Sequence, residues 1–415
     1  MLLELTCRGS NCKLNSDSPA SCRLDRHRKI DNNGPDCARA STEVSDDNDG
    51  QETKRHTTEL TCASLATGMK CLPASKVIQA NGNVLHDWHA EVLAIRGFNR
   101  WILEECEALA QQGKQGEGGE WIDWTNEDTR DGQASDIASP LPPFKLKSDV
   151  QIHMFCSQAP CGDASMELTM ASQQDATPWA NAAPSSKPED MLGRGHFDRL
   201  GVVRRKPARP DAPVTMSKSC SDKLALKQVT GLLNGTVAKL VRVEDCYLRT
   251  LVMPDSETVD DAVKRAFGKD GRMKALKDWG SSHAGYKFRP FEVRTTRKKF
   301  AYSAQGAEAG GSNLSALYTP RRQEVLVNGV LQGRKQYDPR GASSASRRGL
   351  WRLALDVAVM IGTPAIISTL KQPTYAMAKE NANHPREEAK QIAWDKALMG
   401  WKRNERDDAW SVEEV

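Results

Sequence analysis

The feature that most constrains the fold of this chain is a set of three short segments, each at the start of a helix-like run. They are His89-Ala90-Glu91, Pro160-Cys161 and Ser219-Cys220. After His89, the residues Val92, Leu93, Ile95, Phe98, Trp101 and Ile102 recur at helical spacing, and Gly113 ends the run. The segments APCGDASMELTMA and SCSDKLALKQVTGLLNG read as the starts of a second and a third helix. Amides at a helix start point outward and carry partial positive charge, which favours a thiolate there. One imidazole and two thiolates suit Zn²⁺ with an open fourth position, so the fold is expected to bring the three helix starts together.

Strand-like material lies between and after these segments. LTCASLATGMKC suits a buried strand, SDVQIHMFCS alternates, and LGVVRRK and AKLVRVEDCYLRTLVM read as further strands. Asn81-Gly82 is a hairpin-type turn signal. Residues 258–268 resemble a short helix. YKFRPFEVRTT and LYTPRRQEVLVNGVLQG add strands, RRGLWRLALDVAVMIG is helical, and residues 374–402 read as one long helical stretch. Interleaved strands and helices predict an α/β fold.

The organisation expected is a disordered polar tail over residues 1–57, then one domain over 58–415 with polar insertions near 113–147 and 173–195. The net charge of +4 permits an RNA partner without arguing for one. Eleven cysteines, no secretory leader and no long apolar segment predict an intracellular, non-secreted protein with reduced thiols. Cys7, Cys12, Cys22 and Cys37 fit no common zinc spacing.

Taken singly, His-x-Glu and Pro-Cys are weak signals. Cys156 competes with Cys161 as a ligand, and no Pro-Cys-x-x-Cys is present. Together, however, a His/Cys/Cys metal set with a glutamate two residues from the histidine matches the arrangement of zinc deaminases. There the glutamate moves protons between water, a ring nitrogen and a leaving amine. A structural zinc site would instead use four protein ligands and would not need Glu91.

The surrounding words narrow this further. LHDWHAEVLAIRGFNRWIL, CSQAPCGDASMEL and VRRKPARPDAPVTMSKSCSDKLA resemble the eukaryotic tRNA-specific adenosine deaminases, which share a catalytic domain with the RNA-editing adenosine deaminases. The resemblance covers roughly residues 58–410. It implies a cytidine-deaminase-like mixed sheet flanked by helices, extended by further strands and C-terminal helices. It implies His89, Cys161 and Cys220 as zinc ligands and Glu91 as the proton shuttle, the third ligand coming from the distant Ser-Cys-Ser-Asp-Lys segment. It implies the substrate as well: the adenosine 3′ of the anticodon, position 37 of alanine tRNA, converted to inosine. The alternatives are another structured RNA, the tRNA wobble position, or an inactive RNA-binding relative. No DNA, membrane or obligate protein partner is implied.

The resemblance also implies one buried inositol hexakisphosphate. Matching positions are Arg96, Lys223, Thr236, Arg347, Tyr375, Lys379, Lys390 and Trp401, with Asp87 linking the cofactor to the zinc shell. Departures are Ile95 and Leu226 where the editing enzymes carry arginines, with Lys227 beside the latter, and Trp88 where the family has a small residue, which is expected to affect access to the pocket. Family members begin with a helix and a strand that pack on the core, and residues 1–57 show no evident counterpart. Arg204-Arg205-Lys206, Arg297-Lys298-Lys299 and Arg321-Arg322 are candidate phosphate contacts.

Overall fold

The computed structural model describes residues 2–7, 40–42, 58–114, 118–125, 141–172, 193, 199–206, 212–280, 285–298, 312–379, 385–404 and 407–411. Within them a mixed sheet carries the fold. In chain order its first strands are β1 (Leu2–Cys7), β2 (Ala40–Thr42) and β3 (Thr58–Thr67). A separate two-stranded ribbon follows, β4 (Ile122–Trp124) with β5 (Phe144–Leu146). The sheet then continues with β6 (Val150–Phe155), β7 (Leu248–Pro254), β8 (Glu292–Thr296), β9 (Leu314–Thr319), β10 (Arg322–Val327) and β11 (Val330–Leu331). Its order is β11-β10-β9-β3-β1-β6-β7-β8, with β2 against β3. Among these strands only β6-β7 and β7-β8 pair in parallel. This agrees with the α/β expectation and with a deaminase-like sheet.

The helices are α1 (Ala90–Gln112), α2 (Met166–Ala171), α3 (Cys220–Thr230), α4 (Asp260–Phe267), α5 (Arg347–Met360), α6 (Pro364–Leu370), α7 (Tyr375–Lys379) and α8 (Pro385–Lys396). Helix α1 lies across β3 and β9 and packs on α5. Its inner face buries Leu93, Phe98, Trp101 and Ile102, the stripe that the 3.6-residue period predicts. Gly97 lets helix and sheet approach. A Cβ there would stand 2.3 Å from Ser64 Oγ and 2.6 Å from Leu317 Cδ1. Helix α3 packs on α4 and α8.

Several expectations are corrected. Residues 1–57 are not wholly a tail: β1 runs antiparallel between β3 and β6, pairing Leu5 with both Thr61 and Ile152. A six-residue strand is too short to announce itself by periodicity, and its stability comes from being paired on both edges. Most of the rest of that segment, including Cys12, Cys22 and Cys37, lies outside the described residues. The 113–147 connector contains the β4-β5 ribbon, anchored by the buried Ile122, Phe144 and Leu146. The 173–195 insertion lies outside the described residues except Gly193. LGVVRRK forms no strand and makes only the isolated bridge Arg205–Lys218.

The Asn81-Gly82 turn, with φ of 45° and 70°, follows a 3₁₀ turn at Ala74–Gln79 and joins no strand pair. The C-terminal stretch is not helical to residue 402: α7 and α8 are described, α8 begins at Pro385 and ends at Lys396, and residues 380–384 lie outside the described residues. A proline suits a helix's first turn.

Because β1 sits mid-sheet, Leu5→Pro should remove a backbone donor from a strand paired on both sides. A loss of about 3 kcal/mol or more is expected, read as a fall of about 3 °C or more in the unfolding midpoint. A wild-type midpoint in that variant would show that β1 is dispensable.

Candidate active site

The site is assembled from the ends of three elements and a loop. His89 is the N-cap residue of α1, and Glu91 lies in the helix's first turn. Asp87 holds the histidine twice: its Oδ1 accepts from the His89 backbone N–H and pairs with His89 Nδ1, each at 2.9 Å. Nδ1 is thereby engaged and Nε2 remains as the ring's other donor atom, the arrangement by which a carboxylate orients a metal-binding histidine.

Cys161 follows the C-terminal end of β6, and Cys220 is the first residue of α3. The Cys220 backbone N–H donates to Cys161 Sγ at 3.3 Å, so the thiol sits on the positive end of α3. The two segments are clamped together by Ser221 N–H to Cys161 O at 3.0 Å and Ser221 Oγ to Pro160 O at 3.0 Å. Ser219 caps α3 by accepting from Asp222 N–H at 3.1 Å. Asp222 is itself fixed by Arg272 at 2.6 Å. Gly162, at φ +100°, makes the junction feasible: a Cβ there would fall 2.3 Å from Ser219 Oγ.

The electrostatics follow from these contacts. A hydrogen bond from Cys220 lowers the Cys161 thiol to about 6 against burial, with help from the Lys206 and His89 charges. Burial and the neighbouring Cys161 push Cys220 up. Burial and Lys206 press His89 toward the neutral form, but Asp87 prevails and raises it to about 10. A metal would have to displace that proton. Although burial opposes it, the charges of Lys206, Lys223 and His89 hold Asp87 well below the usual carboxylate range. The Glu91 carboxylate raises both the Cys161 and the Cys220 thiol electrostatically.

Cys156 is fully buried just after β6, where burial and then Glu91 push its thiol far up. Among the described residues, Cys71, Asp87 and His89 offer donor atoms within 4.8 Å of one another, a cluster compatible with zinc. Cys71 stands in no motif, and the sequence carries no signal for its place here.

Lys206 departs from expectation. Expected at a phosphate-facing surface, it is buried and donates to Asp87 Oδ2 at 2.9 Å and Cys220 Sγ at 3.2 Å. Arg204 is buried too, donating to Arg199 O. Trp88, expected to affect access to the pocket, is a core residue whose ring lies against Gly329.

Beside this centre is a cavity of about 260 Å³ whose wall includes Asp87, Arg96, Ser217, Lys223, Arg347 and Trp401. Asp87 thus belongs to both sites, and Lys223 Nζ bonds to it. Thr236, Tyr375, Lys379 and Lys390 are not on that wall. Tyr375 stacks on Trp410 at 4.6 Å. Lys379 pairs with Asp408 at 3.8 Å and Lys390 with Glu387 at 2.5 Å. Thr236 is buried, its N–H donating to Asn234 Oδ1.

Cations crowd this region. Burial and Arg347 lower Arg96 to about 10. Burial, then Arg386, Lys390 and Arg96, depress Lys227 well below an ordinary lysine. Lys227 is therefore the half-buried cation, donating to Leu232 O and Leu233 O, of the stretch in which Leu226 occupies the core. Asp407 is a hub without any sequence signal. It accepts from Gly82 N–H at 2.8 Å, pairs with His86 at 2.6 Å and contacts Arg347.

Residues 64–405 match the family model described as the adenosine-deaminase (editase) domain. The chain belongs to this family. It is 39% identical over 287 residues to tRNA-specific adenosine deaminase 1 of Schizosaccharomyces pombe, covering 68% of this chain and 69% of that one. It is 34% identical over 203 residues to the Saccharomyces cerevisiae protein of the same name, covering 47% and 46%. With the Double-stranded RNA-specific editase Adar of Drosophila melanogaster it shares 26% over 200 residues, covering 46% and 26%. The match thus spans about half or less of the latter two relatives. Among the described residues of this editase domain, no helix is long and apolar enough to cross a membrane.

The geometry of the thiol junction and the burial of the cations can each be tested. Gly162→Ala should displace the Ser219 cap and with it Cys220, weakening metal retention by about 10–100-fold, as for other supports of a metal shell. Chelator competition reads this directly, and unchanged retention would mean that the junction tolerates a Cβ. Lys227 and Lys390, the latter lowered to about 8 by burial and Arg386, bind fewer protons folded than unfolded at alkaline pH. Without a bound anion, the contribution of these two lysines to stability should therefore rise as pH climbs from about 8 to about 10.5, read as the difference between wild type and Lys390→Met. A bound polyanion should flatten or reverse that slope in thermal unfolding.

Proposed function

We propose that this chain is a zinc-dependent hydrolytic adenosine deaminase acting on tRNA, with position 37 of alanine tRNA as its site. The observation that supports the reading is the Cys161–Cys220 junction, where Cys161 Sγ accepts from the first amide of α3 and feels the His89 charge, while Asp87 holds His89. His89, Cys161 and Cys220 would hold the metal. The donor set is one imidazole and two thiols, one of them already shifted toward thiolate. Zinc, when bound, supplies a water acidified to a pKa of about 7.

The chain's own residues do the rest. Glu91 takes a proton from the attacking water, hands it to the adenine ring nitrogen, and carries a second to the departing amine. Water adds at C6, the C6–N bond breaks, and inosine and ammonia result. Asp87 keeps the imidazole oriented throughout, and Lys206 offsets the thiolate charge at Cys220. The tRNA substrate is supported by the names of the relatives, of which the fission yeast protein is matched over two thirds of its length. An anticodon loop also suits such a site, because its bases unstack at low cost.

The neighbouring cavity fits inositol hexakisphosphate in its charge. Arg96, Lys223 and Arg347 line it, and Lys227, Lys390 and Arg386 act on one another behind it. Buried cations of one sign need a counter-anion to replace water. Tyr375, Lys379, Thr236 and Trp401 complete the proposed ligand set.

Glu91→Ala and Glu91→Gln should both retain zinc, measured by atomic absorption, while inosine formation on alanine tRNA falls by about 10²–10⁴-fold. Full activity in either variant would remove Glu91 from the proton route. Wild-type protein with full zinc and no inosine at position 37 would overturn the substrate assignment.

A further inference from the structure

A second cavity, of about 390 Å³, opens at the end of α8 and is used by none of the chemistry above. Its wall is formed by Gln391, Trp394, Asp395, Trp401, Lys402 and Arg403, with Gly400 between the two arms. Trp394 and Trp401 stack with ring centroids 6.0 Å apart and planes 27° from parallel. The Arg403 guanidinium lies 4.7 Å from the Trp394 ring centre. Lys402 and Arg403 are exposed. Arg403 spends one donor on Gln391 Oε1 at 2.8 Å, and Gln391 in turn donates to Asp395 at 2.8 Å. The acid is thus tied to the amide, and no other hydrogen bond of Arg403 is seen among the described residues.

The cleft's position matters as much as its composition. Trp401 also lines the buried cavity, and the Lys218 ammonium lies 5.6 Å from its ring centre. Lys218 is two residues from Cys220. Two residues of chain and one lysine side chain put the Trp401 ring within about 20 Å of the catalytic thiol. A strand of RNA with its target base in the active site has only a few nucleotides to cross that distance.

We propose that this cleft is a second RNA-binding subsite, which takes a single-stranded stretch of the substrate away from the target base. Lys402 and Arg403 contact phosphates there, and a base lies against the indole wall. Paired indoles with exposed cations are what sequence-tolerant single-strand binding requires, since every base has a π-face and every nucleotide a charge. A protein-binding groove is the less suitable reading, because the two indoles are the only large apolar groups on the wall. The inference rests on the assignment of an RNA substrate, and the test separates the two.

The test uses the full chain carrying Lys402→Glu and Arg403→Glu together, with Lys371→Glu, an exposed charge swap at the end of α6, as the control. Binding to alanine tRNA and to a single-stranded oligouridylate is followed by fluorescence anisotropy across a salt series, and inosine formation is measured in parallel. The double variant should unfold at the wild-type midpoint and bind both RNAs about tenfold or more weakly. Its log–log salt slope should be shallower by about 1.4, that is, about 0.7 for each of two single-strand phosphates that Lys402 and Arg403 no longer neutralise. KM for tRNA should rise with kcat retained, and Lys371→Glu should change none of these.

Wild-type affinity and salt slope in the double variant overturn the subsite, even if inosine forms normally. So does an equal loss in Lys371→Glu, or wild-type protein that binds neither RNA. Absence of inosine with the charge-dependent binding intact would overturn the substrate reading and leave the subsite standing.

Discussion

The Asp87 carboxylate is the interaction on which the rest of the site depends. It is buried, and a buried carboxylate survives ionised only when its partners replace water. Here His89 takes one oxygen, and Lys206, Lys223 and Ser217 take the other. These groups come from the start of α1, the loop before α3, and α3 itself. Pinning all of them to one carboxylate fixes the angle at which α1 and α3 meet. It also couples the proposed metal site to the neighbouring cavity, since Asp87 holds His89 and lines the cavity with Lys223.

A second constraint is the imbalance of buried charge. Around the cavity, cations outnumber the carboxylates that face them, and Arg96 and Lys227 are driven toward neutrality by burial and by one another. Asp407 relieves part of this through Arg347 and His86, and burial and Arg347 lower that histidine to about 4. Such an arrangement is unfavourable on its own and becomes favourable when a multivalent anion enters. The C-terminal helices, which supply Arg386 and Lys390, are then held to the core by charge as well as by packing. Trp401 lines both this cavity and the outer cleft, so one side chain belongs to the walls of both.

The sheet shows where local pattern is a weak guide. β1 occupies a central position although its six residues carry no persuasive periodicity. Its stability lies in hydrogen bonds to β3 and β6, strands far from it in the chain. The ribbon β4-β5 is silent in the sequence for the same reason, being two three-residue pieces separated by a long polar stretch. In the other direction, LGVVRRK has the composition of a strand but is drawn off by the side-chain tasks of Arg204 and Lys206. Burying a guanidinium and an ammonium with partners outweighs strand propensity there.

The residues proposed to carry the chemistry are legible without any coordinates. His89, Glu91, Cys161 and Cys220 stand out because a metal centre needs particular side chains at helix starts, and those starts are written locally in capping residues and apolar spacing. The same local signals specify α1, α3, most of the larger strands and the residues available for a polyanion. It takes the folded chain to place Lys206 against a thiol instead of solvent and to set Lys227 among cations. The folded chain also lets Asp407 tie Gly82, His86 and Arg347 together, the first two from more than three hundred residues away. The reason is physical. Whether a lysine or an aspartate is solvated or paired depends on which distant segments the fold lays beside it, and spacing along the chain carries no record of that.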